Sequence, residues 1–420
     1  MKLTEDSRLV KALHWRMFLL VGLMSSCCVE ASGTWSSMAI PSVGSGIAEL
    51  MSDGTVISMD GSGDCVKLTP DIHGSYANGT WTALSSMNYS RWNFGVAVLT
   101  NGQLFVTGGE YGGGSALGQY WDGSSMVQGI GQTAEIYDPV NNVWTQTNPN
   151  LALGDCPTEL LPNGNVLVAP ANGSGLCAMY EVASNRWDYG TIPASFSGWD
   201  ECSWAKTANG CIFSVDDAGY GEHYVPSSNQ WILDGISPLA GGGGENTSFL
   251  LPNGKVFYIG QVTNSAFYTA GVSPGSAGSW SNGPNLPVVG TNQLTAGGEG
   301  GGIMMANGNV LLILYSSSGT AYTYEYNYLS NAFTAAPPNP GSGGYELDLP
   351  DGTVFVAGGD IYTPGGSQVA SGQPVINSIT ENSNGSYHLT GTVLNGFSEG
   401  EAAIDDGQAS CNFPLVWMAE

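Results

Sequence analysis

The feature that most constrains this chain is a short phrase that returns seven times: an apolar run, a polar residue followed by glycine, then a second apolar run. The turn glycines are Gly54, Gly102, Gly164, Gly210, Gly254, Gly308 and Gly352, at intervals of 44 to 62 residues. Leu161-Pro162-Asn163-Gly164-Asn165-Val166-Leu167-Val168 shows the pattern in full. Asn-Gly or Asp-Gly between β-branched runs is the strongest short hairpin signal, and it predicts a two-residue turn with positive φ at both positions. A single hairpin cannot bury its own apolar faces. Seven of them at a period near 50 residues predict an all-β, seven-bladed propeller in which each blade packs on its neighbours.

The second half of each repeat has its own signature. Tyr137 is followed by Trp144, Tyr180 by Trp187, Tyr224 by Trp231 and Tyr326 by Phe333, each ring seven residues after its tyrosine. The fifth repeat stretches this spacing to Tyr268 and Trp280, and double glycines follow the second strand at Gly108-Gly109 and Gly358-Gly359. Over about residues 35 to 372 the pattern resembles the kelch repeat. The last repeat offers Tyr362-Thr363-Pro364 with no following tryptophan. Trp35 is therefore expected to supply the outer strand of the seventh blade and close the ring, which would leave no exposed sheet edge there.

Charge narrows the setting. The chain has 9 Lys+Arg against 35 Asp+Glu, a formal net charge of -26. Four cations, Lys2, Arg8, Lys11 and Arg16, precede the apolar stretch Met17 to Met24, and Val29-Glu30-Ala31 offers a small-residue cleavage site. That is the layout of a secretory signal over residues 1–31, its apolar region too short to span a bilayer. Ser25-Ser26-Cys27 gives a second reading, a lipoprotein anchor at Cys27. The mature chain keeps Lys67, Arg91, Arg186, Lys206 and Lys255 as its fixed cations. So acidic a surface has nothing with which to displace counterions from a phosphate backbone, so nucleic acid and anionic membrane surfaces are excluded as partners. The expectation is a secreted or cell-surface monomer with no membrane span.

Six cysteines remain after the signal: Cys65, Cys156, Cys177, Cys202, Cys211 and Cys411. An even count in a secreted chain is compatible with disulfides, but six allow fifteen connectivities, and buried thiols fit equally well. Residues 373–420 lack the repeat phrase. Pro374 to Ile379 and Tyr387 to Thr392 alternate as strands and look like the opening of an immunoglobulin-like sandwich, which takes roughly 100 residues. Either the chain is truncated there or these strands pack on the propeller, which occupies residues 32–372.

A sandwich after a secreted seven-bladed kelch propeller resembles the galactose oxidase and glyoxal oxidase family of copper-radical enzymes. In that family the copper-site groups stand nine residues before the turn glycine, at the start of each innermost strand. Here Ser45 stands where the resemblance implies the cross-linked cysteine, Asn93 where it implies the tyrosine of that cross-link, and Gly343 where it implies a copper histidine. Tyr345-Glu346 replaces a Tyr-His pair. The mature histidines, His73, His223 and His388, fall outside that register, so the fold is expected without copper.

In the remaining blades the same register holds Asp155, Glu201, Glu245 and Glu299. Four successive carboxylates at one mouth of the channel make a half-ring of oxygens suited to a hard cation such as Ca²⁺ or to a cationic ligand. The alternative is that each carboxylate accepts from backbone amides of an inter-blade turn. Trp92 and Trp199 adjoin the ring positions, and an insertion carrying Trp121 lies between the second and third strands of blade two. Flat aromatics beside Asn93 and carboxylates suit sugar rings, although kelch tryptophans such as Trp81 and Trp144 are core. Asp216-Asp217 or Asp200-Glu201 would enter a hydrolytic site only if their separation and pKa values diverged appropriately. The sequence thus describes a binding module for a carbohydrate or protein ligand, with a carbohydrate-active enzyme, oxidase-like or hydrolytic, as the rival.

Overall fold

The computed structural model describes residues 33–38, 41, 46–109, 119–121, 126–128, 133–147, 153–154, 156–169, 177–189, 202–216, 218–239, 246–297, 301–341, 345–394, 396, 401–402 and 408–409, with the backbone alone for 119–121, 126–128, 189, 401–402 and 408–409. Among them the chain is all-β apart from two short 3₁₀ turns, Val182–Ser184 and Ala370–Gly372. Seven antiparallel sheets, six of four strands and one of six, follow one another as the blades of a propeller. Their innermost strands are Ala48–Leu50, Gly95–Val98, Thr158–Leu160, Trp204–Lys206, Thr247–Leu250, Gly301–Met304 and Glu346–Asp348.

The hairpins differ from expectation in a way that explains the sequence better. Only the glycine takes positive φ, from 79° to 83° across the seven turns. The preceding Asn or Asp keeps ordinary φ, and its side chain accepts the backbone N–H two residues on, as in Asp53 to Thr55 at 2.9 Å, Asn163 to Asn165 at 3.0 Å and Asp351 to Thr353 at 3.1 Å. The N–H of Gly54 reaches the carbonyl of Met51 and that of Met51 reaches the carbonyl of Thr55. This is a three-residue loop, a tight turn followed by a left-handed glycine, rather than a two-residue turn. Asn and Asp are selected for their short acceptor, glycine for its φ.

The aromatic signature is a cross-strand pair. Tyr137 stands opposite Trp144, Tyr180 opposite Trp187, Tyr224 opposite Trp231, Tyr268 opposite Trp280 and Tyr326 opposite Phe333. Trp35 takes this position in blade seven. Thr34–Ser37 pairs antiparallel with Asp360–Thr363, Trp35 opposite Tyr362 with ring centroids 4.8 Å apart. Its Nε1 donates to the carbonyl of Pro337 at 2.8 Å, so the outer strand also grips blade six. The ring closes as the sequence implied.

The core is a series of seams rather than one centre. Ala48 and Leu50 of blade one pack with Leu347, Leu349 and Val354 of blade seven, while Ile47 and Met51 pack with Val96 and Val98 of blade two. Alternate residues of each inner strand thus face opposite neighbours, as strand geometry requires. The five described cysteines are buried thiols. Burial pushes the Cys65 and Cys177 thiols up to about 12.

The C-terminal segment does two things. Val375–Glu381 and Tyr387–Thr392 form a two-stranded sheet exposed along almost all its length. Glu401–Ala402 and Gln408–Ala409 form a second pair that adds to blade four, Glu401 opposite Ala205 on the innermost strand. That pair lies against the inner strands of blades four, five and six on one side and of blades one, two and seven on the other. The free edges of inner strands are unpaired donors and acceptors, and this stretch of chain meets them inside the central channel.

Candidate functional site

Each inner strand starts at the mouth and runs to its glycine turn at the far end, so the residues just before these strands rim the mouth. Asn93 precedes Gly95–Val98 in a left-handed conformation, φ 45°, which Asn tolerates better than most residues. Its Oδ1 accepts from the Tyr345 hydroxyl at 3.0 Å, and Tyr345 precedes Glu346–Asp348. Blades two and seven are therefore bridged across the start of blade one. Asn93, where the resemblance implies the tyrosine of the cross-link, thus bonds to Tyr345, a member of the pair that replaces Tyr-His.

Among the described residues Trp92 is an exposed aromatic of this rim, 49% accessible. Its indole lies on Gly61, in the loop between the second and third strands of blade one. A Cβ on Gly61 would fall 1.8 Å from Trp92 Cε2, so only glycine allows the ring to rest there. The segment 88–93 carrying Trp92 and Asn93 is fastened from beneath. Arg91 Nη2 meets Glu135 Oε1 at 2.7 Å, both side chains 0% exposed. Arg91 Nη1 donates to the carbonyls of Gly108 and Thr133 at 2.9 and 3.2 Å. Glu135 Oε2 accepts from the Asn88 backbone and side-chain amides at 2.8 and 2.7 Å. Burial pulls the Arg91 guanidinium below its usual range, and the Glu135 carboxylate works against that. Gly109, φ 97°, lies where a Cβ would be 2.8 Å from Arg91 Cβ and 2.9 Å from the Trp92 carbonyl, which accounts for one glycine of that pair.

Sequence reasoning missed this fastening, although the scarcity of cations signalled it. A second of the five cations beyond residue 31 is used the same way: Lys206 Nζ sits 2.9 Å from Glu159 Oε1, joining the inner strands of blades four and three.

Glu346, 1% exposed, turns toward blade six, where a Cβ on Gly301 would lie 3.0 Å from its Oε2. Burial raises its pKa well above the ordinary carboxylate value, opposed by its own backbone N–H and that of Gly302. Asp348, two residues on, is raised in the same way, by burial and then by the nearby Asp351 charge.

The carboxylates Asp155, Glu201, Glu245 and Glu299, with Trp199, Ser45 and Gly343, lie outside the described residues. Trp121 belongs to the described backbone strand Gln119–Trp121, paired with Met126–Gln128 inside the blade-two insertion. Asp216 is not a free acid at a mouth: its Oδ1 accepts the backbone N–H groups of Ala218 and Tyr220 at 3.1 and 2.8 Å, capping its own loop. Among the described residues no group of three or more His, Cys, Asp and Glu side chains could hold a metal ion, and no helix is long and apolar enough to cross a membrane. The described histidines are scattered. His73 is in an exposed loop of blade one, His388 on the exposed C-terminal hairpin, and His223 buried between blades four and five.

No family model matches the chain, and no curated protein matches it. Solved structures do. A fungal alcohol oxidase of the AA5 family, in complex with copper, is 14% identical with a TM-score of 0.61, covering 91% of this chain and 93% of that one. Virginiamycin B lyase from Staphylococcus aureus is 9% identical with a TM-score of 0.52, covering 80% and 99%. A catalytically inactive form of that lyase with quinupristin gives 9%, 0.53, 79% and 98%. At these identities the likeness is one of fold.

Proposed function

We propose that the protein is a secreted, monomeric binding module that takes a carbohydrate or protein ligand at the propeller mouth, without copper-radical chemistry. The observation that carries this reading is the rim itself: a half-exposed indole laid flat on Gly61, beside the Asn93 amide and the Tyr345 hydroxyl, on a segment locked by a buried ion pair. A rigid aromatic face next to polar hydrogen-bonding groups fits a sugar ring, whose C–H face stacks while its hydroxyls meet the amide and phenol.

The donor set argues against copper. Asn93 and Tyr345 satisfy one another, Glu346 is buried against blade six, and none of the three mature histidines stands at the rim. Copper at an oxidase site needs imidazole or thiolate donors, which these residues do not supply. The likeness to a copper alcohol oxidase is a likeness of scaffold, and a lyase shares that scaffold. If Ca²⁺ is bound, Asp155, Glu201, Glu245 and Glu299 are the residues to hold it.

A glycan array probed with the secreted protein tests the reading, alongside Trp92→Ala. Binding lost with Trp92, with the melting temperature kept, is the expected result. Peroxide released from primary alcohols by the copper-loaded protein would establish the rival, a carbohydrate-active enzyme.

A further inference from the structure

Between blades four and five a buried histidine gathers groups from both. His223, 3% exposed on Tyr220–Val225, has Nδ1 2.8 Å from Asp234 Oδ2 and Nε2 2.8 Å from the carbonyl of Pro274. Asp234 lies on the outer strand of blade four, and Pro274 in the loop between the third and fourth strands of blade five. The Asp234 carboxylate also accepts from the Tyr268 hydroxyl at 2.9 Å and the Gly278 backbone N–H at 2.5 Å.

This departs from the repeat. In blades two, three, four and six the tyrosine hydroxyl donates to an asparagine five residues on, as Tyr137 does to Asn142 at 2.8 Å and Tyr326 to Asn331 at 2.8 Å. Blade five has Ser273 there, and its extra residues turn back to blade four instead. Gly278 lies against the Tyr268 ring, where a Cβ would be 2.3 Å from Cε2.

Both ring nitrogens of His223 face acceptors. A carbonyl and a carboxylate donate nothing, and the one hydroxyl near the ring, that of Tyr268 at 3.4 Å from Nδ1, makes its shorter bond at 2.9 Å by donating to Asp234 Oδ2. A neutral imidazole would therefore aim a lone pair at an acceptor, whereas the imidazolium donates on both sides. We propose that His223 is a proton-operated clasp: charged, it ties the 270–278 loop to blade four, and on losing its proton it lets that loop go. Burial disfavours the charge, but the Asp234 carboxylate and the Pro274 carbonyl together leave the histidine pKa raised. A raised folded value means the contribution is fully present below about 6.5, the unfolded value, and disappears as pH climbs through the folded one.

Among the described residues no neighbouring thiol or phenol competes over that range. Burial pushes the Cys211 thiol up to about 11 and, with Asp234, raises the Tyr268 phenol further. Across the strand His223 faces Phe213 and Ile232, the ring of Trp280 packs on Tyr268, and loop 270–278 has no titratable side chain.

The test uses the full chain. Histidine Cε1–H shifts are followed by NMR against pH, with His223→Gln to assign the resonance, and Gly278 amide protection and melting temperature are recorded over the same range. Expected are a His223 pKa above those of the exposed His73 and His388, Gly278 protection that falls as His223 deprotonates, and a melting advantage over His223→Gln that vanishes at alkaline pH. A His223 pKa at or below those of the exposed histidines overturns the proposal, as does a pH-independent gap between wild type and variant, which would mark a packing role alone. If His223→Gln does not fold, the wild-type titration and Gly278 protection decide the matter.

Discussion

Ring closure by Trp35 gives the most direct test of the fold. Trp35 is partly buried against the cluster holding Leu347, Val354 and Tyr362, and its Nε1 donates to Pro337 at 2.8 Å. Truncating a fully buried Trp costs about 3–5 kcal/mol, so the partly buried ring is assigned roughly 2 kcal/mol. The lost hydrogen bond adds about 1 kcal/mol, since the Pro337 carbonyl is near solvent and regains water. Trp35→Ala should therefore destabilise by about 3 kcal/mol. An unfolding entropy of about 2.1 cal/mol/K per residue, over the roughly 390 residues from Ser32 onward, converts this to a melting temperature lower by about 4 °C. Deleting residues 33–38 should do more. It uncovers the edge of Asp360–Thr363 and leaves Tyr362, 0% exposed in the native ring, facing water. Calorimetry of wild type, Trp35→Ala, the deletion and Trp92→Ala would check this. Trp92, half exposed, is the control and should shift melting by less than about 2 °C. A deletion that melts with wild type would refute closure through this strand.

Three further outcomes are expected. Arg91→Met should destabilise by about 3–5 kcal/mol because Glu135 is left buried without its partner, and adding Glu135→Leu should recover most of that loss; urea titration of both variants checks it. Glu346→Gln should stabilise the protein increasingly as pH rises above the ordinary carboxylate range: a raised folded pKa means stability falls as the buried acid is forced to ionise, and the variant has no charge to bury. Equal melting of variant and wild type from acid to alkaline pH would refute this. Ca²⁺ should raise the melting temperature of the wild type but not of Glu245→Gln with Glu299→Gln, and absence of any calcium response in the wild type would assign these carboxylates to turn chemistry instead.

Blade number, hairpin positions and the strand that closes the ring were legible in the sequence because each rests on chemistry a few residues long. A left-handed glycine after an Asn or Asp acceptor makes a turn wherever it occurs, and a Tyr with an aromatic ring seven residues later pairs across the next turn. The turn type was misread because the acceptor role of Asp53 and its equivalents looks the same on paper as a second positive φ. Less legible was Asn142, Asn185, Asn229 and Asn331, each left-handed and each accepting from the tyrosine five residues before it. This short-range pattern was present in the chain and was overlooked.

The sequence by itself therefore determined the repeating unit, its number and its acidic, cation-poor surface, since turn geometry and charge are local properties. What only the tertiary structure decided is which distant groups meet. Arg91 finds Glu135, Lys206 finds Glu159, Asn93 finds Tyr345, and His223 reaches Pro274 in the next blade. Glu401–Ala402 and Gln408–Ala409 enter the channel, and Glu401 pairs with Ala205 of blade four. Such contacts depend on where neighbouring sheets come to rest once their apolar seams pack, and no spacing along the chain encodes that distance.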